Sequence, residues 1–316
     1  MYKIDRNYYL YKIYGLIIES EIELPEAIEI IKKDENTETI NIDVIVRYDK
    51  MTTEIKDKIN NGIYVGNNEN EFWFMINGVA IFRICDGKKI FIECKGGSKQ
   101  DIKTFLLGSA FGTLLIQRNI VAIHGGTIVV NDKGLIITGD MGTGKSTLTL
   151  AFGVQGYKFL ADDVSAISMN LNGKFIVNPA YPQQKLCRDA AIKLGLNIKD
   201  FVRIDEGRDK FAIPSQDNFM NNSKELCYIA EVTVRENESI EDYKVTIEEI
   251  VGVEKLNLLI KNIYRVEIAT IIGIKSEYFN NIVRIAKQIK YYKIIRPQNS
   301  FTVNEQIKLI RSQIGA

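Results

Sequence analysis

The chain has 316 residues with 41 basic and 40 acidic side chains, a formal charge of +1, and its length suggests about two domains of ~150 residues each. A content of 46% hydrophobic and 26% charged residues is that of a globular protein with a sizeable core, which excludes disordered, collagen-like and low-complexity chains. The near-zero net charge removes any bulk electrostatic case for a nucleic-acid partner or an anionic membrane. The longest apolar stretch, Phe105 to Ile116, is shorter than the ~20 helical residues that cross a bilayer, so no membrane partner is expected. Cys85, Cys94, Cys187 and Cys227 form no CxxC pair and read as reduced thiols. Met1 to Ser20 shows no export signal, because Lys12 and Glu19 interrupt its apolar residues, and a cytoplasmic location is expected.

Residues 1 to 100 read as a β-rich N-terminal domain. Thr39 to Tyr48 alternates apolar Ile40, Ile42, Val44 and Val46 with polar residues, the pattern of a strand with one buried face. Two hairpins follow, Glu71–Ile76 turning at Asn77-Gly78 into Val79–Ile84, and Asp86-Gly87 returning the chain through Ile90–Cys94. Asn-Gly and Asp-Gly supply the positive φ of tight hairpin turns. A boundary is placed at Gly96-Gly97-Ser98, after which Asp101–Arg118 carries a helical apolar pattern and opens a second domain, 101–316.

From Ile120 short apolar runs alternate with helical patterns: Thr127–Val130, Gly134–Thr138, a helix from Gly144, then Tyr157–Ala161. Such alternation predicts an α/β layer with a largely parallel sheet. Further on, the pattern predicts amphipathic helices near Val245–Leu258 and Ser276–Ile289 and an extended Tyr291–Ile295. A closing helix starts at Thr302, with Asn304 a candidate cap. The polar stretch Asp205–Asn222, with Gly207 and Pro214, is expected to be a mobile loop facing a substrate.

The motif that carries chemistry is Gly139-Asp140-Met141-Gly142-Thr143-Gly144-Lys145-Ser146, which fits GxxxxGK[ST], follows the apolar run Leu135-Ile136-Ile137 and opens a helix. Its glycines let backbone N–H groups turn toward phosphate oxygens, and the helix N-terminus adds a favourable dipole. Lys145 supplies a point charge and Ser146 an oxygen for Mg2+. Residues Gly139 to Thr147 are therefore the expected nucleotide-binding set.

Asp162-Asp163 closes the apolar run Tyr157–Ala161. A helix of ~12 residues descends ~18 Å and five strand residues climb back ~17 Å, which returns both carboxylates to phosphate height. One carboxylate there suits a metal ion, and the other suits a hydroxyl proton. The only histidine, His124, precedes Thr127–Val130. If that strand runs antiparallel to Gly134–Thr138, His124 sits beside the cradle.

The run His124-Gly125, then Gly139–Ser146, then Gly156–Val164 resembles the catalytic domain of HPr kinase/phosphorylase, whose fold is related to ATP-dependent phosphoenolpyruvate carboxykinase. The intervals agree: 21 residues from His124 to Lys145 and 18 from Lys145 to Asp163. The resemblance implies an α/β, P-loop-containing catalytic domain behind a smaller β-rich domain. It implies an ATP- and Mg2+-dependent kinase that phosphorylates a serine of a protein or peptide, and it is compatible with a homo-oligomer. It also implies Asp163 as general base, Asp162 and Ser146 at the metal, and His124 and Lys145 at the transferring phosphate.

Thr147 departs from the glutamate usual in the family, and no second family signature is found, which puts the reverse phosphorylase activity in doubt. Asn178–Ala190, Tyr14-Gly15-Leu16, Ser20–Ile22 and Leu24–Glu26 instead look like a divergent, stand-alone branch, some members of which accompany peptide-modification systems. On this reading Lys185, Arg188 and Lys210 are candidates to meet phosphate or substrate. The alternatives are a small-molecule hydroxyl kinase, a carboxykinase-like enzyme, and a nucleotide-binding regulatory module without transfer.

Overall fold

The computed structural model describes residues 8–31, 40–205, 209–235 and 244–315. It is a mixed α/β protein with two compact units. One comprises Met1–Ile120 with Arg265–Tyr278, and the other Val121–Tyr264 with Phe279–Ala316.

The first unit holds a seven-stranded sheet ordered β1-β2-β3-β7-β6-β5-β4. Its strands are β1 (Tyr9–Ile13), β2 (Leu16–Ser20), β3 (Val44–Tyr48), β4 (Val65–Asn67), β5 (Glu71–Ile76), β6 (Ala80–Cys85) and β7 (Lys89–Cys94). The expected hairpins are present in register, with Ile76 opposite Ala80 and Cys85 opposite Lys89. Asp86 and Gly87 both take positive φ, 54° and 62°, as a tight reversal demands. The strand expected over Thr39–Tyr48 is confined to β3, and Thr39 lies outside the described residues.

Helix α1 (Thr53–Asn60) covers one face of this sheet, where Ile55 packs with Met51, Trp73 and Ile81. The predicted helix Asp101–Arg118 forms in three pieces: α2 (Lys99–Phe105), a π-helical turn Leu106–Ala110, and α3 (Phe111–Gln117). Ser98 and Asp101 make a reciprocal capping box at its start. These helices belong to the first unit, because Phe105 and Phe111 pack on Phe82 and Tyr14. The units therefore divide at Ile120 rather than near residue 100.

The second unit holds an eight-stranded sheet. Its strands are β8 (Val121–Val130), β9 (Lys133–Thr138), β10 (Phe159–Ala161), β11 (Val164–Met169), β12 (Phe175–Asn178), β16 (Lys224–Val234), β17 (Thr246–Ile250) and β18 (Lys290–Arg296). A separate small sheet is ordered β13-β15-β14, with β13 (Gln183–Cys187), β14 (Val202–Asp205) and β15 (Lys210–Pro214). Among the described residues of this sheet only β9, β16 and β18 run parallel. Strand β8 is antiparallel to β9 on one side and to β10 and then β11 on the other.

The sheet is thus mixed rather than largely parallel. The cause lies at Asn131-Asp132, where φ of 48° and 61° turns β8 directly into β9 without a crossover helix.

Helices of this unit are α4 (Lys145–Val154), α5 (Arg188–Lys193) and α6 (Gly252–Lys261); α7 (Val266–Ile272) belongs to the first unit, α8 (Ser276–Gln288) follows, and α9 (Val303–Ile314) closes the chain. Leu148 and Phe152 of α4 and Val303, Ile307 and Ile310 of α9 bury one sheet face together with Ile128, Leu135, Ile137 and Val232.

Three expectations need correction. Val245–Leu258 is not one helix: it holds β17 and the start of α6, because Thr246-Ile247 pairs at the β18 edge and Gly252 breaks the run at φ 65°. Asn304 is not the cap of α9; Thr302 precedes the helix, and the Asn304 amide oxygen accepts from Gln155. The expected loop Asp205–Asn222 contains β15, whose Phe211, Ala212 and Ile213 are buried, while 206–208 lie outside the described residues. Among the described residues no helix is long and apolar enough to cross a membrane.

Candidate functional site

Strand β9 delivers the glycine-rich loop at its C-terminal end. Gly139 takes φ 138°, and a Cβ there would lie 2.3 Å from the Val232 carbonyl oxygen of β16. Only glycine fits this approach. The loop then folds on itself: the Thr143 hydroxyl donates to the Asp140 carbonyl (2.8 Å) and the Lys145 ammonium to the same oxygen (2.9 Å). Gly144, left-handed at φ 103°, is the N-cap of α4. From outside the loop, Arg296 at the end of β18 donates Nε–H to the Thr143 carbonyl at 2.7 Å, and burial lowers the guanidinium pKa.

The carboxylate pair sits at the same end of the sheet, but not at a strand end. Strands β10 and β11 follow one another along β8, with Ala161 opposite Thr127 and Val164 opposite His124. Between these pairs Asp162-Asp163 faces Gly125-Gly126, and the Gly125 N–H donates to the Asp163 carbonyl at 3.1 Å. Asp163 takes φ 56°, and Val164 N–H donates back to the Asp162 carbonyl, so the strand kinks for one residue and resumes. A non-glycine residue held left-handed in mid-strand is a strained conformation of the kind found at functional sites.

Charges converge on the kink. Asp162 Oδ2 accepts the Lys185 N–H at 2.6 Å, and the Lys185 ammonium stands 3.7 Å from Asp163 Oδ2. Burial, then the neighbouring Asp163 carboxylate, pushes the Asp162 pKa up to about 7. Burial also works to raise Asp163, but Lys185, His124, Lys210 and Lys145 together outweigh it and hold that carboxyl below its ordinary value. About a third of the Asp163 side chain, 36%, stays open to solvent. Lys145 has a lowered pKa, mainly from burial and further from Lys210, against the opposing pull of Asp163. Two carboxyls with divergent pKa values beside a loop lysine are an acid–base arrangement.

His124, Lys145, Asp162, Asp163, Lys185 and Lys210 are thus brought together. Ser146 and Thr147 lie half-buried in the first turn of α4, and Met141 is exposed. Arg188 is placed elsewhere: its guanidinium pairs with Asp209, which Arg203 also meets, and lies over the Phe211 ring.

Several residues of the site lie beyond the predicted set. Glu231, 1% exposed on β16, accepts from the Tyr291 hydroxyl (2.9 Å) and the Asn262 amide (3.3 Å), with the Lys261 ammonium at 3.6 Å. Lys261 also pairs with Asp140 of the loop at 2.9 Å. The Asn262 backbone carbonyl accepts the His124 N–H at 2.8 Å, and the His124 ring stacks on Tyr264 with centroids 5.7 Å apart. A buried polar cluster therefore joins Glu231 of β16, Tyr291 and Asn262, whose carbonyl holds the His124 N–H, and the exposed Lys261–Asp140 pair extends it to the loop. The signal for it in the sequence is a lone glutamate inside Ile229-Ala230-Glu231-Val232, since an unpaired charge is not buried.

Neither a protein-family model nor a curated relative matches the sequence. Among solved structures the chain is similar to the Hpr(Ser) kinase/phosphatase from Coxiella burnetii, at 15% identity, covering 62% of this chain and 99% of that one, with a TM-score of 0.32. This is a distant likeness, and the functional reading rests on the residues of the site itself.

Proposed function

We propose that this chain is a nucleoside-triphosphate-dependent kinase that transfers the γ-phosphoryl group to a hydroxyl, with a serine of a protein or peptide as acceptor. The observation that carries the reading is the confrontation of Lys145, in a glycine-rich loop at a helix N-terminus, with the Asp162-Asp163 kink on the far side of β8. The serine acceptor is supported by the resemblance of the His124–Val164 run to HPr kinases.

In this mechanism the loop amides and Lys145 hold the β- and γ-phosphates and stabilise the charge that spreads over the transferring group. Asp163, kept ionised by its cationic surroundings, accepts the proton of the attacking hydroxyl. Lys185 and Lys210 offset the charge on the incoming side, and His124 is steadied there by Tyr264. The donor set of Ser146 hydroxyl and Asp162 carboxylate consists of hard oxygens and suits Mg2+, which takes one or two protein ligands together with phosphate oxygens and water. Held there, Mg2+ would offset phosphate charge.

Incubation with Mg-ATP and serine-bearing peptides or cell extract, read by mass spectrometry, tests the reading. Phosphoserine is expected with the wild type. It falls by ~10²-fold or more in Asp163→Asn while ATP binding persists; Lys145→Ala loses both. Undiminished transfer by Asp163→Asn rejects the base assignment. ATP binding without any peptide product rejects the peptide acceptor in favour of a metabolite or a regulatory role.

A further inference from the structure

The seven-stranded sheet of the first unit ends differently at its two edges. At the β1 edge the chain covers itself: the Ile30 N–H donates to the Leu10 carbonyl at 2.7 Å, and Glu29 bridges Tyr11. At the other edge β4 has β5 on one side and, among the described residues, no strand on the other. The Tyr64 carbonyl accepts the Met75 N–H and the Asn68 N–H donates to the Glu71 carbonyl, both at 2.8 Å, so Tyr64 and Asn68 face β5. Backbone groups alternate in direction along a strand, which turns the N–H and C=O of Val65 and Asn67 and the carbonyl of Ile63 away from the sheet. The Ile63 N–H is taken by the Lys58 carbonyl at the end of α1.

An open edge templates another strand, and proteins blunt such edges with charged side chains or proline. This edge has neither. Asn60-Asn61-Gly62-Ile63-Tyr64-Val65-Gly66-Asn67-Asn68 runs for nine residues without a charge or a proline, and Ile63, Tyr64 and Val65 are 47%, 57% and 40% exposed. Helix α7 lies against β4 and adds exposed Ile271 and Ile274, so an apolar surface continues from the edge. The segment also reads nearly alike in both directions about Tyr64: Ile63 mirrors Val65, Gly62 mirrors Gly66, and Asn60-Asn61 mirrors Asn67-Asn68. A second copy laid antiparallel therefore sets each residue opposite one of its own kind, as a self-complementary contact about a two-fold axis requires. With no charges in the segment, no like charges are opposed across the axis.

We propose that β4 pairs antiparallel with β4 of a second copy of this chain, about a two-fold axis at Tyr64, each Val65 N–H donating to the Ile63 carbonyl of the other copy. The pairing joins two seven-stranded sheets edge to edge and does not depend on the kinase reading. Since β4 has only three residues, the seam is short and the dimer comes apart on dilution.

The test is sedimentation velocity of the full chain over a range of concentrations, with hydrogen exchange of residues 63–68 followed on the same samples. The wild type is expected to pass from monomer to dimer as concentration rises, and exchange of this segment to slow in step. Val65→Pro removes the outward N–H but no bond of the β4–β5 ladder. Two hydrogen bonds are then lost per dimer, and the dissociation constant should rise by about 5- to 150-fold. Tyr64→Lys sets two like charges across the axis and should also weaken the dimer; thermal melts check that both variants fold, and Tyr64→Lys decides if the proline variant does not. Leu171→Lys, at a fully exposed apolar residue of the second unit, should leave the dimer unchanged. A wild type that stays monomeric at every concentration overturns the proposal. So does a dimer that survives both β4 variants, that Leu171→Lys weakens equally, or that forms without slowing exchange of 63–68.

Discussion

The replacement Asp162→Asn isolates the electrostatics of the carboxylate pair, because the asparagine amide oxygen can still accept the Lys185 N–H that Asp162 Oδ2 takes at 2.6 Å. Burial, then Asp163, raises the Asp162 pKa from 3.8 to about 7 in the folded protein. Between those values the folded chain holds a proton that the unfolded chain has released. Folding stability then falls as pH rises, by up to ~1.4 kcal/mol per pH unit, and levels off above the folded pKa. From pH 5 to pH 8 the upper limit is ~2.7 kcal/mol, and screening by solvent reduces it to ~1–2 kcal/mol.

Asp163 has the opposite sign: its folded pKa is depressed, so its contribution is present above its unfolded pKa and is lost only in more acidic solution, below this window. The neutral asparagine mimics the protonated state throughout. Thermal melts of both proteins with a chelator and no nucleotide should therefore draw together toward pH 4, and the lead of Asp162→Asn should grow between pH 5 and pH 8 by roughly 2–8 °C. Taking the difference between the two proteins removes the other titrating groups. Parallel profiles across this range would refute the raised pKa and the tight pairing behind it.

Gly125→Ala places a Cβ 2.2 Å from the Ile137 carbonyl oxygen, backbone that cannot swing aside, and should cost ~1–3 kcal/mol or more by thermal melting. Gly134→Ala, whose nearest contact is 3.4 Å, is the control and should lose under ~1 kcal/mol. Truncating Glu231 removes the acceptor of the buried Tyr291 hydroxyl, while the Asn262 amide keeps the Leu258 carbonyl and the Tyr291 oxygen; Glu231→Ala should lose ~1–3 kcal/mol in denaturant titration. Asp140→Ala, which breaks only an exposed pair with Lys261, should lose under ~1 kcal/mol in the same titration.

Much of this site is legible because its residues carry local signals. The loop Gly139–Ser146 announces itself by glycines placed where a strand becomes a helix; Lys145 and the aspartates do come within electrostatic reach, although α4 has 10 residues and β10 three, both shorter than the lengths expected. The turns at Asn77-Gly78 and Asp86-Gly87 are equally local. What escapes is non-local. The long central strand β16 sits between β9 and β18, two strands distant from it in sequence, and nothing inside Lys224–Val234 names those neighbours. The same holds for Arg265–Tyr278, which leaves the second unit and joins the first. Val245–Leu258 misleads for another reason: a short apolar run satisfies both periods, and the edge of β18 decides in favour of a strand. Arg188 illustrates the limit for charged side chains, since a basic residue expected at the glycine-rich loop pairs instead with Asp209.

The kink at Asp162-Asp163 lies opposite two consecutive glycines, Gly125-Gly126, and the Gly125 N–H donates to the Asp163 carbonyl. An uninterrupted β8–β10–β11 ladder would alternate side chains across the sheet and send two adjacent carboxylates to opposite faces. Left-handed Asp163 breaks that alternation for one residue, so both carboxyls come under the field of Lys185 and Lys210. The glycines opposite the kink serve the other neighbours of β8: a Cβ on Gly126 would meet Thr149 of α4 and the Ala161 carbonyl of β10, and one on Gly125 the Ile137 carbonyl of β9. Thr149 lies one helical turn beyond Lys145, whose carbonyl its hydroxyl bonds at 3.0 Å. The glycine pair therefore lets α4 settle against β8 at the point where the aspartates emerge beyond it. The spacing between lysine and carboxylates is then set by backbone packing rather than by side-chain reach, which is the rigidity that transfer between fixed groups requires.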